Sequence, residues 1–159
     1  MKRRFLFTAS VLVLALVAGC ATTSAPVSVA ETLARDPQLS TLNGLVKQAG
    51  LADMLRGSGP YTVFAPTNDA FKSVPAKTMD ELKDPARLKA VLSYHVLPAR
   101  ITAAQIKTGN AKTANGAEVA LARAGDFVTV EDAMAQGPEV TASNGVVYAI
   151  DRVLMPPRR

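Results

Sequence analysis

One cysteine and one histidine in 159 residues close off much chemistry before any pattern is sought. With Cys20 alone, no disulfide forms within the chain. With His95 alone, neither a His-rich nor a Cys-rich zinc site can be assembled. A calcium loop needs acidic residues at short alternating spacing, and no such run occurs. No serine sits in a G-x-S-x-G elbow, so a triad through His95 has no support beyond chance. Gly57-Ser58-Gly59-Pro60 lacks the Lys-Ser/Thr of a phosphate loop and leads into a strand pattern. The pairs Asp80-Glu81 and Glu131-Asp132 are adjacent, and in a strand adjacent residues point to opposite faces. They make poor acid–base partners, and structural or solvated roles are expected. No catalytic residue, cofactor or metal site is therefore expected.

Basic blocks interleaved with aromatics are missing as well. The chain has 18 Lys and Arg against 13 Asp and Glu, a net charge of +5. Lys2, Arg3 and Arg4 stand at the N-terminal end, and without them the balance falls to 15 against 13, or +2. No nucleic-acid partner is expected.

What is present begins with that basic start and an apolar run over residues 5–18. The run is shorter than the roughly 20 apolar residues of a membrane span, and the pair reads as a secretory signal. Val17-Ala18-Gly19-Cys20 resembles the bacterial lipobox. The resemblance implies a diacylglycerol on the Cys20 thiol, cleavage before Cys20, and acylation of the new amino group. Several acyl chains anchor stably where one holds only marginally. Ala21, which is not Asp, follows, and by the same resemblance this implies the outer membrane, facing the periplasm or the cell surface. Residues 21–28, ATTSAPVS, are small, polar and Pro-containing, a composition suited to a tether. The expected organisation is a signal peptide at 1–19, a lipidated cysteine and tether at 20–28, and one domain at 29–157.

Helices come first in that domain. Ser28 with Glu31 three residues on has the capping-box spacing. Leu39, Leu42, Leu45 and Val46 recur at helical spacing, with Gly50 placed to end that helix. LADMLRG gives a further short helix before the Gly57–Pro60 break. A strand over 61–65 follows, then a helix from about Thr67 that carries Ala70, Phe71 and Val74 until Pro75 interrupts it. Asp84-Pro85 opens another helix, with Leu88, Val91, Leu92 and His95 along one face. Val96-Leu97 reads as extended, and ITAAQIKTG as a brief helix ahead of Gly109. The last third is rich in β-branched residues and contains Asn115-Gly116 and Asn144-Gly145. Asn-Gly favours tight turns between antiparallel strands because both residues tolerate positive φ. Helices first and strands later predict an α+β fold, not a doubly wound parallel sheet.

Two places could still carry chemistry. The stretch YTVFAPTNDAF makes a strand, a sharp turn and a helix start, a corner in which enzymes hold phosphates or nucleophiles. Here, however, the sequence supplies its own acceptors. Thr67 or Asn68 can take a hydrogen bond from an otherwise orphaned N–H, and Asp69 opposes the positive helix end. With Tyr61, Val63 and Phe71 on the core side and Pro66 fixing the turn, the corner reads as a structural latch. The other place is His95, expected to be buried with both ring nitrogens hydrogen-bonded.

Three stretches together resemble the fasciclin domain family: YTVFAPTNDAF its first signature, SYHVLPARI its Tyr-His segment, and NGVVYAIDRVLMPP its closing signature. The similarity covers residues 29–157. It implies an α+β wedge of two β-sheets with several helices packed around it, in modules that serve adhesion and matrix association and not catalysis. Thr67, Asn68, Asp69, Phe71, His95, Asn144, Gly145 and Asp151 are then structural signature residues. In some animal members the Tyr-His segment has been linked to integrin recognition, which makes Tyr94 and His95 candidate partner-binding residues. This chain departs from the pattern at Tyr148, where the closing signature often has His. The function implied is a lipid-anchored cell-envelope module that binds an envelope or matrix protein or polysaccharide, acting as a monomer. The alternative is a small-ligand carrier or envelope hydrolase using a groove near His95; a plain periplasmic spacer is a third reading.

Overall fold

The computed structural model describes residues 26–157; the signal, Cys20 and most of the tether lie outside them. The chain enters helix α1 (Val29–Arg35) through the expected capping box. The Ser28 hydroxyl accepts from the Glu31 N–H, and the Glu31 carboxylate accepts from the Ser28 N–H. A 3-10 turn (Pro37–Leu39), α2 (Ser40–Gln48) and α3 (Ala52–Arg56) follow. Gly50, at φ 69°, closes α2 in the left-handed region that glycine adopts at little cost. Then come β1 (Tyr61–Pro66), α4 (Asn68–Lys72), α5 (Ala76–Glu81), α6 (Pro85–Tyr94) and β2 (Val96–Leu97). The remainder is a 3-10 turn (Ala103–Gln105) and strands β3 (Gly109–Lys112), β4 (Glu118–Ala124), β5 (Phe127–Val130), β6 (Ala133–Met134), β7 (Val140–Ala142) and β8 (Gly145–Ile150).

The strands form two four-stranded sheets, ordered β2-β1-β8-β7 and β3-β4-β5-β6. The second is antiparallel throughout. The first is mixed, because β1 and β8 run parallel in one-to-one register from Tyr61 opposite Gly145 to Pro66 opposite Ile150. Both strands are nearly continuous apolar runs, as strands covered on two faces must be. Val63, Ala65 and Val147 turn toward the helices, where Leu33, Leu42, Leu55, Leu88 and Leu92 meet them. Phe64, Val146, Tyr148 and Ile150 turn the other way, onto Val119, Leu121, Val128 and Val130 of the second sheet. Helices, mixed sheet and antiparallel sheet thus form three layers around two apolar interfaces. This is the expected α+β arrangement.

Four local differences from the sequence reading have simple causes. Helix α4 stops at Lys72, short of Val74 and Pro75, and Pro75, extended at ψ 141°, is instead the N-cap of α5, so Asp80 and Glu81 lie on a helix and not in a strand. The ITAAQIKTG segment forms only one 3-10 turn, with Thr102 and Gln105 making the capping contact, and Gly109 opens β3. Glu131 and Asp132 occupy the connection between β5 and β6 instead of a strand. Finally, the turn between β7 and β8 is Ser143-Asn144, not Asn144-Gly145, and no positive φ occurs there. Gly145 is instead the first residue of β8, where the Tyr61 carbonyl oxygen of β1 occupies the space a Cβ would need.

That close approach generates a prediction. Gly145→Ala would force two backbones apart at the start of the parallel pairing, because the nearest atoms are the Tyr61 carbonyl itself, with Val29 Cγ2 close behind. The expected loss is at least about 2 kcal/mol, read as a lower denaturation midpoint. Gly44→Ala, where nothing lies within 4 Å, is expected to be neutral or stabilising.

Candidate functional site

The latch at the Pro66 corner is built as the sequence indicated. Thr67 is extended, and its Oγ1 accepts from the Ala70 N–H at 3.3 Å. Asp69 stands in the first turn of α4 and pairs with Lys72 at 2.8 Å. Asn68 does not cap α4. Its Oδ1 accepts from the Thr41 N–H at 3.0 Å and its Nδ2 donates to the Pro37 carbonyl at 2.9 Å. The amide thereby fastens α4 to the start of α2. Phe71 is buried in the helix-side core, and Tyr61 is only partly covered against it.

Asn144 does the same work at the other end of the β1–β8 pairing, across a wider span. Its Oδ1 accepts from the Val29 N–H at 2.8 Å, and its Nδ2 donates to the carbonyls of Leu55 at 2.8 Å and Gly57 at 2.6 Å. Its own carbonyl receives the Tyr61 N–H. One side chain thus satisfies an orphaned N–H at the start of α1 and carbonyls at the end of α3, groups that helix geometry leaves unpaired. Asp151, just past β8, accepts from the Met134 N–H at 2.8 Å and so joins the two sheets.

His95 ends α6 and is 1 % exposed. Its Nδ1 lies 2.7 Å from the Val91 carbonyl and its Nε2 accepts from the Leu154 N–H at 3.0 Å. These partners fix the tautomer, with the proton on Nδ1. Burial pushes its pKa down to about 4, while the Val91 carbonyl works weakly the other way. Tyr94 is buried too, its hydroxyl donating to the Glu118 carbonyl or to Glu131 Oε1. Burial first, then the Glu131 charge, pushes that hydroxyl up to about 12. Neither side chain presents its polar atoms to an outside partner, and a groove that uses His95 would have to displace Leu154.

Glu139 and Thr62 escaped the sequence reading, and Glu131 was read only as structural or solvated. Glu139 accepts from the Tyr148 hydroxyl at 2.7 Å and from the Ala103 N–H, while Tyr148 also reaches the Ile101 carbonyl and stacks on Phe64. The tyrosine that departs from the closing signature therefore has a complete set of partners of its own. Buried Thr62 bridges the Ala99 carbonyl and the Ile101 N–H. Glu131, at φ 53°, takes the Ala120 N–H on Oε1 beside Tyr94. Nothing in the local pattern marks these pairs, which form only when the sheets meet. Among the described residues no buried side-chain polar atom lacks a hydrogen bond, and no group of three or more His, Cys, Asp or Glu is placed to hold a metal ion.

Comparison with known proteins agrees with this geometry. A family model described as the fasciclin domain matches residues 37–156. The protein sll1483 of Synechocystis is 41% identical over 146 residues, 90% of this chain and 81% of that one. The immunogenic protein MPB70 of Mycobacterium bovis is 41% identical over 138 residues, 83% of this chain and 69% of that one. The cell surface glycolipoprotein MPB83 of the same species is 40% identical over 135 residues, 81% of this chain and 60% of that one. Among solved structures, the FAS1 domain pair of the insect cell adhesion molecule fasciclin I matches with a TM-score of 0.66 at 16% identity, over 81% of this chain and 51% of that one. This last likeness concerns the fold alone.

The state of His95 sets a pH dependence. Its folded pKa, about 4, lies below the unfolded value near 6.5, so the unfolded chain binds the proton more readily. The stabilisation present above about pH 6.5 is therefore lost as pH falls toward 4, by at most about 3 kcal/mol. Denaturation midpoints measured across this window should fall, and His95→Gln should flatten that slope. An unchanged slope in the variant would show that other groups carry it.

Proposed function

This chain belongs to the fasciclin domain family, and on that premise we propose that it is an exported, lipid-anchored module of the cell envelope that works by binding and not by turnover. The observation that carries the reading is the engagement of its reactive side chains. Both nitrogens of His95 and the hydroxyls of Tyr94 and Tyr148 are held by the domain itself, and a general base or nucleophile needs an atom within reach of substrate. The name of one relative supports the setting: it is a cell surface glycolipoprotein.

The anchor is assigned to Cys20 by its lipobox-like setting, with the segment between Cys20 and the Ser28 cap as the tether that lets the domain stand clear of the bilayer. Ala21 favours the outer membrane. The partner is an envelope or matrix protein or a polysaccharide, engaged by one copy of the domain through its surface, since Tyr94 and His95 are buried.

Two measurements bear on this. Mass spectrometry of the mature N-terminus should find an acylated Cys20, and Cys20→Ser should move the protein from the membrane fraction to the soluble one; a free, unmodified cysteine removes the anchor from the proposal. Cells displaying the protein should attach to each other or to a surface more than cells lacking it. Equal attachment, with no envelope partner recovered by affinity capture, would sink the binding role.

A further inference from the structure

The packing uses only the inner side of the Thr67-Asn68-Asp69 corner. Its outer side walls a cavity of about 460 Å³ together with Gln38, Gln136 and Asp151. A second cavity of about 400 Å³ shares Ala70, Ser73 and Asp151 with the first and continues along Val74, Pro75, Val153 and Met155. Because three residues line both, the two adjoin along one groove, with a polar half and a half in which an apolar strip runs between Ser73, Thr78 and Arg152. Each half lies within the roughly 300–1,000 Å³ of small-molecule sites.

The polar half contains hydrogen-bonding groups that the fold leaves over. Gln38 and Gln136 stand on separate segments, and their backbone N–H groups are occupied by Asp36 Oδ1 and the Ala149 carbonyl. Among the described residues neither carboxamide has a hydrogen-bond partner. Asp151 commits only Oδ1. The Thr67 oxygen accepts from Ala70, which leaves its hydroxyl proton to donate. The charges nearly cancel: Lys72 is neutralised by Asp69 at 2.8 Å, and Arg152 lines the second half beside Asp151. Planar carboxamides and a carboxylate, each able to span two neighbouring hydroxyl groups, suit a polyol. A phosphate or a polycation would find no excess of opposite charge. The strip of Val74, Pro75, Val153 and Met155 gives the C–H face of a sugar ring an apolar floor, with Met155 itself 41% exposed. The walls are helical turns and connecting segments, not an open strand edge for main-chain pairing with a peptide.

We propose that this groove binds a neutral polysaccharide segment, its hydroxyls on Gln38, Gln136 and Asp151 and its ring face on the Val74–Met155 strip. The proposal rests on the reading of the protein as a binding module and names the class of its partner.

The test uses the full chain in detergent, with saturation-transfer NMR and titration calorimetry. The probes are cellohexaose, maltohexaose and chitohexaose, set against a heparin hexasaccharide and a pool of random heptapeptides. At least one neutral hexasaccharide should bind, and the double variant Gln38→Ala/Gln136→Ala should weaken it about tenfold or more. Melting should stay unchanged, since those carboxamides hold nothing in the fold. Binding only to heparin or to peptides, binding unaltered in the variant, or no neutral saccharide bound at millimolar concentration each overturns the proposal. The two readings fail separately. Absent saccharide binding with attachment of displaying cells intact removes the groove's role and leaves the binding module. Absent attachment removes the module reading whatever the saccharides do.

Discussion

The parallel pairing of β1 with β8 is the constraint on which the rest of the domain depends. A parallel pair cannot be joined by a hairpin, and here all of α4 through β7 intervenes between its two strands. Little local structure specifies such a contact, and closing a long loop costs entropy before the pairing returns anything. The chain compensates by clasping both ends. At one, the Asn144 carbonyl takes the Tyr61 N–H while its side chain collects groups from α1 and from the end of α3. At the other, the Thr67 N–H reaches the Ile150 carbonyl at 3.1 Å, directly beside the cap that starts α4. A slip of one residue would turn Phe64 and Tyr148 toward the helices and Val63 and Val147 toward the second sheet, inverting both interfaces.

The same constraint explains why polar side chains are spent inward. Each clasp is an amide or hydroxyl bonded to backbone, worth about 1 kcal/mol net when made and more than that when broken in a dry site. The ion pairs Asp53–Arg56, Asp69–Lys72 and Asp80–Lys83 are exposed i,i+3 contacts, and pairs of that kind contribute little. His95 fits the pattern. As a neutral ring it donates at one nitrogen and accepts at the other, joining the last turn of α6 to Leu154 across the second apolar interface. A charged imidazolium could not accept from Leu154, and burial, which lowers the pKa, keeps the ring neutral for that role. Glu131 shows the same economy in reverse. Its left-handed backbone costs on the order of 1–3 kcal/mol, and the bonds from Ala120 and Tyr94 to its carboxylate offset part of that.

Features coded by neighbours in sequence were legible before the structure. The Ser28–Glu31 capping box, the Thr67 cap, the Asp84-Pro85 start of α6 and the Gly50 stop each depend on residues a few positions apart, and each forms where the pattern put it. Burial of His95 followed from the apolar face it shares with Leu88, Val91 and Leu92. The role of Asn144 was legible only as part of a motif, since its three partners lie about 90 to 115 positions away. The turn rule for Asn-Gly misplaced Gly145 because a glycine also serves where two backbones touch, and periodicity does not distinguish the two uses. Helix α5 was hidden because none of its residues is buried: in six residues only Met79 packs on the core, with Leu82 at the C-cap, too little to show a period. Glu139 and Tyr148 meet only after β8 is in place, so no local signal announced them.

Where the signature residues point has a consequence for specificity. Thr67, Asn68, Phe71, His95 and Asn144 face the interior or the backbone, so they can hold the frame in chains that bind quite different partners. Discrimination must then come from residues the frame positions but does not use. Tyr148 illustrates the separation: its hydroxyl is absorbed by Ile101 and Glu139, so a change within a signature is taken up inside the domain. Gln38 and Gln136 illustrate the opposite case. Their backbones are fixed by the frame, one in the turn that Asn68 fastens and the other against β8, while their side chains are left uncommitted. A side chain whose backbone is already ordered loses less entropy when it meets a ligand than one on a loose loop. Recognition is therefore best placed on the outer side of a latch, where rigidity is supplied by bonds that the partner does not have to make.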